Sequence, residues 1–295
     1  MKILLCGARG FIGSHLLQAL RQAGHEVICG VSQAGSRAHD AVQVDYARDT
    51  QAAAWRDRVE GMDVVINAVG VLRDTHRRPI QAVHADTPIA LFEACAQAEV
   101  RHVVHISALG IEHSATRYAQ TKLAAEQHLR DMAQAGRLSA TILKPSIVFG
   151  RGGDSSALFL NLARLPIALM PGPVIDAQVQ PVAVTDLADV VVRLVANLAH
   201  APETLACVGP QPVQLGDFIA SLRTQLGHRP ATVLRLPEWV TSLSARCGDL
   251  VSASPWSSEA VDLLRQPNVA DAGPIAALLG RPTIHFSELL ARTWQ

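Results

Sequence analysis

The chain has 295 residues, 49% of them apolar, and its 26 basic and 26 acidic side chains give a formal net charge of zero. A chain of this length and composition can bury a large core, which suits one domain with an appendage or two modest domains. Basic residues are scattered and only 4% of residues are aromatic, so we expect no nucleic-acid binding.

Strand-like and helical segments alternate through the first half of the chain. The apolar runs are KILLC, EVICGV, VQV, DVVINAV, HVVHIS and SATILKP, with helical stretches from Phe11, near Thr50, up to about Ala98 and around Tyr118. Short apolar runs without strict alternation are typical of parallel strands that are buried on both faces. The pattern predicts a doubly wound α/β sheet.

The rhythm of the sequence changes after VFGRGG. QPVAV and TLACVG are strand-like and bracket an amphipathic helix, so residues 182–209 are expected to return to the large sheet. From Pro210 on, short helical pieces alternate with prolines, which indicates an irregular lobe. The predicted domains are therefore residues 1–150 together with 182–209, and a smaller lobe formed by residues 151–181 and 210–295.

A glycine-rich turn follows the first strand. CGARGFIGSHLLQAL places Gly7, Gly10 and Gly13 between that strand and the start of a helix. Such a turn lets backbone N–H groups and the positive end of the helix approach a pyrophosphate. Glycines three residues apart can also serve close strand–helix packing, but strand, loop and helix together favour dinucleotide binding.

RYAQTKLAAEQ pairs one of two tyrosines, Tyr118, with one of three lysines, Lys122. A separation of four residues places both side chains on one helix face. A phenol has a reference pKa of about 10, and a nearby ammonium group favours the phenolate. Tyr118 could therefore exchange a proton with a carbonyl or alcohol oxygen during hydride transfer. The alternative is a structural pair on an ordinary helix.

The order of these motifs resembles the short-chain dehydrogenase/reductase superfamily in its extended and atypical branches. The G-x-x-G-x-x-G spacing, NAVG, HISALG, YAQTK, LKPSIVFG and QPVAVTDLAD carry the resemblance over about residues 1–215. Within the superfamily, the chain resembles two groups: proteins related to the nucleotide-binding accessory subunit of respiratory complex I, and bacterial epimerase/dehydratase-like proteins. The segments SALGIEH, YAQTK and LLGRP carry this finer resemblance. The resemblance implies a Rossmann domain that binds NAD(P), and a smaller lobe that binds an unidentified carbonyl, alcohol or sugar-like substrate.

The resemblance also implies residue roles. Tyr118, Lys122 and Ser107 would be catalytic, with Lys122 holding the nicotinamide ribose and Ser107 bonding the substrate oxygen. The implied cofactor-binding residues are Gly7, Arg9, Gly10, Phe11, Ile12, Gly13, Ser32, Arg37, Asp45, Asn67, Ala68, Val69, Lys122 and Pro145.

The segment after the second strand, GVSQAGSRAHD, bears on which dinucleotide binds. It has no carboxylate before Asp40 and offers Ser32 and Arg37, while Arg9 lies where related reductases place an arginine near the 2′-phosphate. NADP is therefore favoured over NAD. The alternative is that Arg9 and Arg37 are solvated surface arginines.

Two departures from the family pattern bear on turnover. Ser107 and Tyr118 are closer in sequence than in well-studied dehydrogenases, which makes Ser114 a second candidate, and His84 stands where many extended members have Asn. Three outcomes are open: an intact catalytic trio, a cofactor-binding subunit or redox sensor without turnover, and a structural Tyr/Lys pair.

Location and partners follow from what the sequence lacks. The N-terminus enters an apolar strand directly, and Asn161, Arg164 and Pro166 interrupt the richest later apolar stretch, so we expect neither a signal peptide nor a membrane span. Five dispersed cysteines favour free thiols and a cytoplasmic location, and without HExxH or paired CxxC motifs no metal site is predicted. The resemblance allows a homodimer or association with a membrane complex.

Overall fold

The computed structural model describes residues 1–32, 40–236, 262 and 268–294. The chain divides into two compact units. Unit 1 comprises Met1–Ala108, Arg117–Lys144 and Ala188–Leu205, and unit 2 comprises Leu109–Thr116, Pro145–Leu187 and Ala206–Gln295.

The strands are, in chain order, β1 (Lys2–Cys6), β2 (Glu26–Val31), β3 (Ala41–Gln43), β4 (Val64–Asn67), β5 (His102–Ile106), β6 (Ala140–Pro145), β7 (Val148–Phe149), β8 (Ile167–Pro171), β9 (Gln178–Val179), β10 (Val182–Ala183), β11 (Thr204–Cys207), β12 (Val213–Gln214) and β13 (Thr232–Leu236). The helices are α1 (Phe11–Gln22), α2 (Arg56–Val59), α3 (Thr87–Gln97), α4 (Arg117–Gln134), α5 (Asp154–Arg164), α6 (Gly172–Ile175), α7 (Val184–Ala196), α8 (Leu215–Gln225), α9 (Gly273–Leu279) and α10 (Leu289–Thr293). A π-helical turn, Ala82–Asp86, leads into α3.

A seven-stranded sheet forms the centre of unit 1, in the order β11-β6-β5-β4-β1-β2-β3. Strands β1 to β6 pair in parallel, and the Ile142 N–H donates to the Glu203 carbonyl at the start of β11. The order reverses direction at β1, which has β4 on one side and β2 on the other. The predicted doubly wound Rossmann sheet is confirmed, and ligands of such sheets bind where the strand order reverses.

Burial of this sheet explains its sequence pattern. All residues of β4, β5 and β6 are buried, and so are Ile3 to Cys6 of β1. Phe92 of α3 and Trp55 are fully buried against the sheet. Because both faces are covered, the strands are continuous apolar runs and not alternating ones.

Short strand pairs and a separate core form unit 2. Strand β7 pairs with β10, β8 with β13, and β9 with β12. Buried side chains of β7, α5 and α8 surround Phe149 and Phe218, whose ring centroids lie 5.7 Å apart. Asp186, fully buried at the start of α7, accepts the Ile284 N–H at 2.6 Å and pairs with Arg281 at 2.7 Å.

The two strand-like segments around α7 have different positions. TLACVG supplies β11 of the large sheet, whereas the expectation that QPVAV joins the same sheet is wrong. The Val182 N–H donates to the Ile147 carbonyl at 2.9 Å, and Val182 and Ala183 pair with β7. Because the backbone of Val182 and Ala183 is paired in this way, it is not available to extend the large sheet. Among the described helices, none is both long and apolar enough to cross a lipid bilayer.

Candidate active site

The glycine loop is a close-packed turn between β1 and α1. Gly7 has a φ of 85°, and a Cβ there would lie 2.9 Å from the Ala68 carbonyl oxygen. A Cβ on Gly13 would lie 2.0 Å from the Gly7 carbonyl oxygen. The Gly10 N–H donates to that same oxygen at 2.8 Å. No side chain caps α1 at Gly10, so the N–H groups of its first turn can face an anion.

Asn67, at the end of β4, holds the segment beside this loop. Its fully buried Oδ1 accepts the Tyr46 hydroxyl at 2.9 Å and the Val69 N–H at 3.2 Å. Its Nδ2 lies 3.1 Å from His105 Nδ1 and donates to it. The Asn67 side chain is thus engaged inside unit 1, and it fixes the backbone of Ala68 and Val69 next to Gly7.

Tyr118 and Lys122 occupy one face of α4. The Lys122 Nζ lies 5.8 Å from the Tyr118 ring centre and donates to the carbonyl of Ile106, the last residue of β5, at 3.2 Å. Lys122 is 5% exposed, and burial lowers the pKa of its ammonium to about 8 while the Glu126 carboxylate partly offsets this. Burial raises the pKa of the half-buried Tyr118 phenol. Tyr118 is therefore protonated at neutral pH.

His84, in the π-helical turn before α3, packs against the Tyr118–Lys122 pair. Its Nε2 accepts the Val71 N–H at 3.0 Å, and its Nδ1 lies 3.3 Å from the Thr121 hydroxyl oxygen. The imidazole meets the Tyr118 ring edge-to-face, with centroids 5.1 Å apart. Burial, followed by the charge of Lys122, lowers the His84 pKa to about 2. The ring is neutral, with its proton on Nδ1. The sequence marked His84 only as a departure from Asn and gave no indication of these contacts.

Ser107 donates its only hydroxyl proton inside unit 1. It hydrogen-bonds Oε1 of Glu126, a fully buried carboxylate on α4. Glu126 Oε2 pairs with Arg130 at 2.7 Å and lies 3.5 Å from Lys144 Nζ. Ser107 therefore has lone pairs, but no free proton, for a substrate oxygen. Sequence reasoning missed Glu126, although an acid four residues after Lys122 on one helix face was a usable signal.

Several predicted site residues lie at the periphery of unit 1. Arg9 and Ser32 are exposed, and Phe11 begins α1 with its ring edge-on to His15. Asp45 is half-exposed and accepts the Ala47 N–H at 3.0 Å. Ile12 lies in the first turn of α1. The remaining predicted residues are elsewhere: Pro145 and Ser114 belong to unit 2, where Ser114 bonds Thr116, and Arg37 lies outside the described residues.

Three buried neutral histidines make unit 1 sensitive to acid. Burial lowers the pKa of His84 to about 2, of His105 to about 3 and of His102 to about 4, against 6.5 in the unfolded chain. Because the unfolded chain binds more protons at these three histidines below pH 6.5, their contribution to the free energy of unfolding should be constant above that pH and fall below it. Each histidine contributes a limiting slope of about 1.4 kcal/mol per pH unit.

Urea denaturation between pH 5 and 7.5 measures this slope. His102→Gln should reduce the slope by up to about 1.4 kcal/mol per pH unit, the contribution of one histidine. His200→Gln, at an exposed position, serves as the matched surface control. A free energy of unfolding that stays flat from pH 7 to 5 would contradict the burial of neutral imidazoles.

The model of the NAD dependent epimerase/dehydratase family matches residues 3–207. Over 282 residues the chain is 25% identical to mitochondrial NADH dehydrogenase [ubiquinone] 1 alpha subcomplex subunit 9 of Mus musculus, covering 91% of this chain and 72% of that protein. It is 29% identical over 213 residues to the ceramide reductase of Caulobacter vibrioides, covering 66% and 60% respectively.

Among solved structures, an NADPH-dependent quinone oxidoreductase from Escherichia coli superposes with a TM-score of 0.75 at 16% identity. The match covers 99% of this chain and all of that one, 100%. At this identity the likeness shows a shared fold.

Proposed function

Because the chain belongs to the NAD dependent epimerase/dehydratase family, we propose that it is an NADP(H)-binding oxidoreductase with Tyr118 as its proton carrier. Its substrate would be a carbonyl, alcohol or sugar-like molecule. Family membership confirms the resemblance seen in the motifs. The observation that carries the proposal is the buried Lys122 ammonium, held beside the Tyr118 ring at the carboxyl end of β5.

The glycine loop fits a dinucleotide. A Cβ at Gly13 would overlap the Gly7 carbonyl, so the turn has the tight form that lets a phosphate approach the backbone. We assign pyrophosphate binding to the N–H groups of Phe11 through Gly13, in the first turn of α1, and the nicotinamide ribose to Lys122. The nicotinamide, when bound, supplies or accepts the hydride. We assign substrate selection to residues 151–181 and 210–295.

Burial of Tyr118 favours the reductive direction. A phenol with a raised pKa is protonated at neutral pH and can give its proton to the oxygen of a carbonyl that receives a hydride. The reverse reaction needs the phenolate, which requires a nearby positive charge. Lys122 is the group on the same helix face that can provide this charge.

The bond from Ser107 to Glu126 favours a second candidate. With its proton donated to a carboxylate, Ser107 cannot donate to a substrate oxygen without changing partner. A subunit or redox sensor that binds NADPH without turning it over would tolerate this arrangement. The likeness to a subunit of mitochondrial NADH dehydrogenase points the same way.

A substrate panel separates the two candidates. Protein loaded with NADPH is mixed with aldehydes, ketones, quinones and lipid ketones related to ceramide, since the similar proteins include a quinone oxidoreductase and a ceramide reductase. Loss of absorbance at the nicotinamide band with one class identifies an oxidoreductase. Tight NADPH binding with no oxidation across the panel selects the sensor or subunit.

Cofactor preference is a separate prediction. NADPH should bind at least about tenfold more tightly than NADH, a difference of about 1.4 kcal/mol that one charge-assisted phosphate contact can supply. Arg9 is exposed next to the glycine loop and has the right charge. Nicotinamide fluorescence titrations should show the preference erased in Arg9→Ala/Arg37→Ala and retained in Arg56→Ala, which changes an exposed arginine on α2. Equal affinities in the unaltered protein would contradict the proposal.

A further inference from the structure

We propose that Glu126 is a positioning residue whose negative charge sets the charge state of Lys122. Lys144 and Arg130 oppose this effect, because they pair with the same carboxylate and compensate part of its charge. The inference rests on the proposed function, because it assigns Glu126 an effect on the lysine that would hold the cofactor.

Glu126 is a buried anion that joins three elements of unit 1. Its Oε1 accepts the proton of Ser107, which follows β5, and its Oε2 faces Arg130 on α4 and Lys144 on β6. The carboxylate has no exposed surface. A buried charge is tolerated only with close partners, and Glu126 has a hydroxyl and two cations.

Lys122 has no carboxylate within ion-pair distance among the described residues, so its charge depends on weaker fields. Its ammonium donates to a neutral carbonyl, that of Ile106. His84 faces it from the π-helical turn, His105 from β5, and Tyr118 from α4. All three are uncharged at neutral pH, because burial lowers the pKa of both histidines and raises that of the phenol.

Glu126 is therefore the anion that acts on Lys122 within the described chain. It lies four residues further along α4, on the same helix face, and its charge raises the pKa of Lys122 against the effect of burial. Lys144 and Arg130 compensate part of that charge at Oε2. Removing the carboxylate should destabilise the Lys122 ammonium, whereas removing a competing cation should stabilise it.

The low number of lysines allows a direct measurement. The chain has three, Lys2, Lys122 and Lys144, so protein labelled with [ε-13C]lysine gives three resonances that Lys2→Arg and Lys144→Met assign. Each resonance reports the titration of its own ammonium in the protein without cofactor. Glu126→Gln should lower the midpoint of Lys122 by about one pH unit, and Lys144→Met should raise it by a similar amount.

Opposite shifts are the result that a merely structural role would not produce. If both variants move the midpoint in the same direction, or neither moves it, the inference is overturned. Should Glu126→Gln fail to fold, Lys144→Met and Arg130→Gln still have to raise the midpoint. Glu60→Gln, at an exposed position on unit 1, should leave it unchanged.

NADPH titrations at several pH values separate this inference from the proposed function. If Lys122 holds the cofactor, affinity falls as pH rises through its midpoint, and this alkaline limb should move with the NMR midpoint in each variant. Midpoints that shift as expected, with an alkaline limb that does not follow, would support Glu126 as the positioning residue and contradict the role of Lys122 in binding the cofactor.

Discussion

Replacing Tyr118 with phenylalanine should lower kcat by a factor on the order of 10² to 10⁴ and leave NADPH affinity close to that of the unaltered protein. Phenylalanine keeps the ring that meets His84 edge-to-face and lies over Lys122, and it removes only the hydroxyl. Packing and cofactor contacts therefore survive, and the proton that a reduced carbonyl must receive is lost.

Lys122→Met provides the contrast for this experiment. Its loss removes the ammonium that we assign to the ribose as well as the charge beside the phenol, so affinity and kcat should both fall. Steady-state kinetics on a substrate found in the panel, together with fluorescence titrations, resolve the two effects. A Tyr118→Phe protein as active as its parent would refute proton transfer by Tyr118 and leave the NADPH-binding subunit or sensor as the function.

Local features of the sequence were sufficient to predict the parallel sheet and the close-packed glycine turn after β1. Parallel strands covered on both faces must be continuous apolar runs, so β1, β4 and β5 could be identified without a template. The glycine loop could also be predicted from the sequence, because the close contacts at Gly7 and Gly13 leave no room for a side chain and so require glycine at both positions. The Tyr118–Lys122 pairing follows from the helical repeat alone.

Long-range polar pairing was the part that sequence could not supply. Glu126 joins Ser107 and Lys144, residues 19 positions earlier and 18 later, and nothing in the local pattern of α4 specifies those partners. Asn67 shows the same limit: the family resemblance implied that it contacts the cofactor, but its side-chain atoms bond Tyr46 and His105 inside unit 1. Such pairings depend on which strands become neighbours.

The prediction for QPVAV, which forms a short strand in unit 2, was wrong for a related reason. Two residues, Val182 and Ala183, are too few to show a period, and their pairing with β7 is fixed by a backbone bond to Ile147. The longer apolar run of β11 joined the large sheet. A short strand therefore carries less information about its partner than a long one.

Gly13→Ala should weaken NADPH binding by at least about a hundredfold, or about 2.7 kcal/mol, while the protein still folds. The added Cβ would lie 2.0 Å from the Gly7 carbonyl oxygen and 2.6 Å from its carbon, both backbone atoms. Neither can rotate away, so the loop must move away from α1. The Gly10 N–H bond to that same carbonyl would then be lost or lengthened, and the N–H groups assigned to the pyrophosphate would no longer share one direction.

Gly172→Ala is the matched control for this prediction, because a Cβ there meets nothing within 4 Å. It should change neither affinity nor melting temperature. Thermal melts without cofactor show how much of the effect of Gly13→Ala is lost stability, and titrations well below the melting temperature then measure binding by folded protein. Addition of NADPH should raise the melting temperature of the parent and of Gly172→Ala, but not that of Gly13→Ala. Full NADPH affinity in the Gly13→Ala protein would mean that the loop does not hold the pyrophosphate, because a turn displaced by a side chain could not present the same N–H groups.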